Sequence, residues 1–279
     1  MLKISVMTTT IRDQYTEEQA NALKASEFKD FEWVVNDDLY DSRVGRIAEM
    51  AGKAFPVVHV KPPVISDHFA VVDALNEGLR HCRGELVYFM VDYVLPHPSA
   101  LGRHWELYQT YPNCFFSGKS INIGMTAEEF RQKGSSHGED YRMGLFSNSI
   151  FQRRWLTDDI FEAFPDGVIN WWAGRNDSAP MEALLKVNGF DIRLDGHQGY
   201  QDSDLGQRMM RAGYRYLLDM KASALELKHI RFAKPATRGE QEHQQIAHQV
   251  FLEVQAGKYF VNPEINLREE RARCLEFLS

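Results

Sequence analysis

Short, nearly unbroken apolar runs alternate with amphipathic stretches from the N-terminus onward. "KISVMTT" (Lys3–Thr9), "FEWVVND" (Phe31–Asp37), "FPVVHV" (Phe55–Val60) and "LVYFMV" (Leu86–Val91) read as strands buried on both faces. Between them, Thr16–Ser26, Asp41–Lys53 and Asp67–Cys82 carry helical periodicity. The first of these opens with Thr16 and Gln19 in the spacing of a capping box. Strands separated by helices of this length predict βαβ units, and so an α/β fold with a mostly parallel central sheet flanked by helices.

The pattern loosens further on. Asn113–Met125, Arg142–Gln152 and Tyr214–Leu218 read as strands. Pro180–Val187 reads as a helix with a proline start and an Asn188-Gly189 stop, and Ser203–Ala212 as a helix that stops at Gly213. Gly239–Gln255 and Leu267–Phe277 are helical patterns at the C-terminal end. No linker rich in Pro, Gly or Ser interrupts the chain. The expectation is one domain over residues 1–238, with 239–279 as its helical extension.

Composition narrows the class. The 279 residues are 44% hydrophobic and 25% charged, as in an ordinary globular protein. The formal charge of −7 excludes a global basic field for nucleic acid and leaves room only for a local patch. Three cysteines, Cys82, Cys114 and Cys274, lie far apart without metal spacing, which favours a reducing compartment and hence the cytoplasm. The N-terminal stretch has no apolar core of signal-peptide length, and no run reaches the roughly eighteen apolar residues of a membrane span.

Three of the early strands end in polar residues: Thr8-Thr9-Thr10, Asp37-Asp38 and Asp92. In a parallel sheet all C-terminal strand ends share one edge, and open α/β sheets bind ligands in the crevice outside that edge. The candidate site is placed there.

The residues that carry it resemble a family. "DFEWVVNDD", "LNEGLRHCRGELVYFMVD", "GRNDSAPMEALLKVNGFD" and "YQDSDLGQRMMRAGYRY", together with "SVMTTTIRD", stand in the order and spacing of the family 2 glycosyltransferases. The resemblance covers Lys3 to His229. It implies the GT-A fold, a Rossmann-like sheet with a donor half (about 1–98) and an acceptor half (about 99–238). It also implies transfer of a sugar from a nucleotide-sugar donor, UDP-linked, to an acceptor hydroxyl with inversion.

Carried over residue by residue, the resemblance assigns Thr9, Thr10, Asp37, Asp38 and Asn76 to the donor. A carboxylate accepts an imide N–H, and hydroxyls meet ribose or base edges. Asp202 stands at the general-base position, where a carboxylate takes the proton of the attacking hydroxyl. Gln201 replaces the Glu usual beside it. Asp204 competes for the base role, and helix capping is the structural alternative for Asp38 and Asp202. Asp92 resembles one acid of the DXD motif, which holds Mn²⁺ or Mg²⁺ against the diphosphate. The motif is incomplete, because Tyr93 stands where a second carboxylate is usual. His229 resembles a metal ligand found after the last sheet strand, with a surface histidine as the alternative. Lys228, Arg231, Lys234 and Arg238 form a local basic cluster suited to phosphate, with a solvated loop as the alternative. Trp171 and Trp172 offer either an acceptor platform or core packing. The acceptor stays open among saccharide, lipid-linked sugar, protein and modified nucleic-acid base. A non-catalytic binding protein is one competing reading. A nucleotidyltransferase is another, and lacks support because "TTTIRD" has no glycine for a phosphate loop.

Overall fold

The computed structural model describes residues 2–63, 71–124, 126, 128–129, 152–164, 174–197, 199–228, 238–257 and 261–278. Among the described residues ten strands lie in one sheet: β1 (Ile4–Thr10), β2 (Phe31–Asp37), β3 (Val57–Val60), β4 (Leu86–Phe89), β5 (Val94–Pro96), β6 (Cys114–Asn122), β7 (Gln152–Trp155), β8 (Ile160–Phe164), β9 (Asp177–Pro180) and β10 (Arg215–Glu226). Their order is β3-β2-β1-β4-β9-β6-β10-β8-β7, with β5 paired to β10 off that path. β1 to β4 are mutually parallel. β9 runs antiparallel to both β4 and β6, so β6 and its parallel neighbour β10 point the same way as β1 to β4. The C-terminal ends of six strands and the N-terminal end of β9 therefore share one edge.

Side chains leave a strand alternately to its two faces, and the core divides accordingly. Met7, Val34, Val87 and Phe89 join one cluster, and Val6, Trp33, Val35, Leu86 and Tyr88 the other. The second face is covered by α1 (Thr16–Ala25), α3 (Arg46–Ala51) and α5 (Ala100–Thr110), through Leu23, Ile47 and Leu101. The first is covered by α4 (Val71–His81), α6 (Met181–Lys186), α7 (Gln201–Arg211), α8 (Arg238–Gln255) and α9 (Leu267–Leu278). Ala247 and Leu267 place both C-terminal helices on the common core. Among the described residues no helix is long and apolar enough to cross a membrane.

Three expectations change. The helix expected over Asp41–Lys53 is two short ones, α2 (Tyr40–Arg43) and α3, because Gly45 takes φ of 80° between them. The capping box at Thr16 does not form. Tyr15 caps α1 in a left-handed conformation without a side-chain bond, the Gln19 amide donates to Val91 O and Val94 O, and the Thr16 hydroxyl accepts from Arg43. The strand expected at Tyr214–Leu218 continues to Glu226 through a bulge, where its register against β6 jumps between Asp219 and Ser223. The strand expected over Arg142–Gln152 lies outside the described residues but for Gln152.

Candidate functional site

The end of β1 pairs with the end of β2, Thr10 lying opposite Asp37, and Asp38 N donates to Thr10 O at 3.0 Å. The two aspartates then part. Asp37 is fully buried; its Oδ1 accepts from Leu39 N at 2.9 Å, and its Oδ2 lies 3.0 Å from His59 Nε2 and 3.7 Å from Arg43. Asp38 stays half-buried and makes no cap for α2. Burial first, then Asp37 and Asp195, push its carboxyl up to about 6. Asp37 is thus committed to fixing the loop, and Asp38 is the carboxylate of the pair left at the crevice. The Thr9 hydroxyl is buried and has no hydrogen-bond partner among the described residues.

Asp92 follows β4 at the same edge and is 5% exposed. Arg12 Nη1 donates to its Oδ1 at 2.7 Å, and the Thr10 hydroxyl lies 3.2 Å from its Oδ2. Burial pushes the Asp92 carboxyl above the usual carboxylate range, against the pull of Arg12 and Thr10. The Arg12 guanidinium also stands 5.7 Å from the centre of the Tyr93 ring, in cation–π reach. Tyr93 lies in the field of Arg175, Glu226, Asp92 and Arg12, and its own burial raises its phenol. Arg175 Nη1 in turn donates to Glu226 Oε2 at 2.9 Å, closing the edge where β10 ends.

Asp202 comes from helix α7. Helix α7 starts from Tyr200 in a left-handed conformation with no side-chain cap, so Asp202 sits inside the first turn and is not the cap. Gly174 ties the chain after β4 to the first turn of α7. Its O accepts from Val91 N at 3.2 Å, and a Cβ built on it would lie 3.6 Å from Asp202 Oδ1. Gly174 has φ of 64°, a conformation that glycine adopts freely. Asp204, the competitor for the base role, is fully buried and bound by Arg208 Nε at 2.7 Å, which removes it from the crevice.

Asn76 does not face a ligand. Its Nδ2 donates to Phe190 O and its Oδ1 accepts from Phe190 N, each at 2.9 Å, so it clasps α4 to the turn after α6. Lys228 is exposed, and its O accepts from the Tyr15 hydroxyl at 2.5 Å. Trp171, Trp172, His229, Arg231 and Lys234 lie outside the described residues. Arg12, Arg175 and Glu226 were not singled out from the sequence, and Gln19 was read only as a helix cap, because each acts through a partner far along the chain. The one signal was Arg12 itself, a cation two residues after a strand that ends in three threonines.

The donor set at this edge falls short of what a divalent cation needs. Such an ion takes several oxygen ligands, usually from more than one carboxylate. Among the described residues no three Asp, Glu, His or Cys side chains converge to hold one. Asp92 already holds a guanidinium on one oxygen, and its neighbour is a phenol. The described residues do not fit the ion.

No protein-family model and no curated protein sequence matches the chain. Solved structures do match by fold. A TarS fragment from S. aureus, in complex with UDP-GlcNAc, aligns with TM-score 0.59 at 14% identity, over 99% of this chain and 71% of that one. GalNAc-T7, with UDP, GalNAc and Mn²⁺, aligns with TM-score 0.62 at 9% identity, over 98% of this chain and 55% of that one. A mannosyltransferase from Pyrobaculum calidifontis, with GDP-Man and Mn²⁺, aligns with TM-score 0.56 at 17% identity, over 99% and 74%. The chain spans 43% of a longer TarS structure. The fold is that of the GT-A glycosyltransferases.

Proposed function

We propose that the chain is a glycosyltransferase of the family 2 type, transferring a sugar from a nucleotide-sugar donor, UDP-linked, to an acceptor hydroxyl with inversion. The observation that carries the reading is the sheet edge itself, where Thr9, Thr10, Asp38 and Asp92 gather at the strand ends and Gly174, bonded to Val91, approaches Asp202. The bound nucleotides and sugars of the fold relatives support it.

In this reading Asp38 and the threonines hold base and ribose. Asp202 removes the acceptor hydroxyl proton as its oxygen bonds to the anomeric carbon, and the bond to the β-phosphate oxygen breaks on the far side. Charge then builds on the departing nucleoside diphosphate, and fixed cations at the edge stabilise it. Trp171 and Trp172 are the proposed acceptor platform, and Lys228 and Arg231 proposed phosphate contacts. The three free cysteines support a reducing compartment, the cytoplasm, as the site of action.

The test supplies UDP-sugars and reads UDP release, with water as the acceptor of last resort, so that the true acceptor need not be known. Asp202→Asn should lower kcat by roughly 10²–10⁴-fold while leaving UDP affinity within twofold. An unchanged kcat removes Asp202 from the base role. Binding without release by the wild type would favour the non-catalytic reading.

A further inference from the structure

We propose that the Arg12 guanidinium, seated on Asp92, takes the place of a divalent cation and binds the donor diphosphate without metal. The inference rests on the nucleotide-sugar reading above and adds what that reading lacks, a charge for the diphosphate.

The geometry comes first. Arg12 reaches Asp92 through Nη1 at 2.7 Å, with the side chains 19% and 7% exposed, so the pair is sheltered but reachable from the crevice. Its backbone is fixed from both sides: Arg12 N donates to the Thr10 hydroxyl at 3.2 Å, and Arg43 Nη2 donates to Arg12 O at 2.5 Å. The guanidinium is held over the Tyr93 ring as well. Asp92, Thr10 and Tyr93 together aim one planar cation at the strand edge where the reading places the diphosphate. A guanidinium is suited to this, because its fork of N–H donors matches the oxygens of phosphate.

The charges balance in the same way. Two carboxylates around a divalent cation sum to zero. One carboxylate with one guanidinium also sums to zero. Tyr93 in place of a second carboxylate therefore goes with a cation of half the charge. A divalent ion added beside Arg12 would meet a carboxylate already neutralised and a positive charge a few ångströms away. At that separation repulsion is on the order of 1 kcal/mol per unit-charge pair in water and several times larger in a sheltered site.

The experiment is calorimetric titration of UDP, with GDP and uridine as controls, into the full chain with Mn²⁺ or with EDTA. The expected result is one wild-type affinity for UDP, equal within twofold in both buffers. Arg12→Ala should weaken UDP at least tenfold while leaving uridine, which has no diphosphate, within twofold. Arg12→Lys should fall between them. Thermal melting checks that each variant is folded; if Arg12→Ala is not, the wild-type comparison and Arg12→Lys decide. UDP binding that needs Mn²⁺, or that survives Arg12→Ala unchanged, overturns the inference and leaves the nucleotide-sugar reading standing. No binding of UDP or GDP in either buffer overturns both.

Discussion

Replacing Asn176 should destabilise the chain from the inside of the sheet edge. Its side chain is fully buried between β9 and the β10 bulge. Nδ2 donates to Lys119 O and Ala222 O, each at 3.0 Å. Two carbonyls on that side require the nitrogen there, which fixes the amide orientation and makes Oδ1 the acceptor. Oδ1 then accepts from the Tyr88 hydroxyl at 2.8 Å and from His104 Nε2 at 3.2 Å, so His104 carries its proton on Nε2 and its Nδ1, 2.7 Å from the Ser178 hydroxyl, accepts. Asn176→Ala removes the shared acceptor of two buried donors. At roughly 1–3 kcal/mol for each unmet group, the loss is about 2–6 kcal/mol, set against a total stability of about 5–15 kcal/mol. A water filling the space would pull the loss toward the lower end. Asn176→Asp separates this account from a simple cavity. It keeps the volume and the Oδ1 acceptor but turns an oxygen toward two carbonyls, so it should cost at least as much as alanine. Urea denaturation followed by tryptophan fluorescence measures both, with the slope against urea unchanged. A loss under about 1 kcal/mol for either variant would refute the hydrogen-bond assignment.

The other expectations are shorter. Asp38 has a folded pKa raised to about 6 from an ordinary value of 3.8, so the folded state holds that proton more tightly than the unfolded chain. Its charge therefore opposes folding above pH 6, and the penalty is relieved as pH falls toward 4. Asp38→Asn should raise Tm at pH 8 and leave it unchanged near pH 4, by scanning calorimetry at both values. UDP affinity should run the other way, weakening in the wild type below pH 6 as the acceptor is protonated. Arg208→Ala leaves Asp204 buried and uncompensated, and breaking such a pair costs about 3–5 kcal/mol. The double variant with Asp204→Ala should recover part of that, and urea titration of the three variants gives the cycle.

The parts of the fold that could be read along the chain are those whose burial is apolar and local. β1, β2 and β4 are covered on both faces, so their sequences are dominated by apolar residues, and the helices between them show their spacing. β9 could not be read this way. Asp177-Ser178-Ala179-Pro180 has no apolar run, yet all four residues are buried in the middle of the sheet. What permits this is polar pairing from afar: Ser117 bonds Asp177 and His104 bonds Ser178. Nothing near β9 in sequence announces those partners. The same holds for the break at Gly45, where local periodicity continued but the backbone did not.

The site divides along the same line. That polar residues would collect at one strand edge followed from parallel strands ending in Thr, Asp and Asp. Which aspartate of the Asp37–Asp38 pair faces the crevice did not follow, because it is decided by His59 and Arg43 claiming Asp37. Asp202 was preferred over Asp204 through the resemblance alone, and Arg208, one helical turn on, gives the physical reason by holding the latter. The tyrosine after Asp92 looked like the loss of half a metal site when the strand was read alone. Beside Arg12, from the loop after β1, it becomes one half of a substitution whose other half lies 81 residues away. Removing a carboxylate without supplying a cation would leave Asp92 buried and unbalanced. Supplying an arginine to a site with two carboxylates would leave a net charge of −1. Only the two together keep the edge neutral while presenting a cation to the crevice, and this is why Tyr93 and Arg12 are better understood as one feature than as a defect and a coincidence.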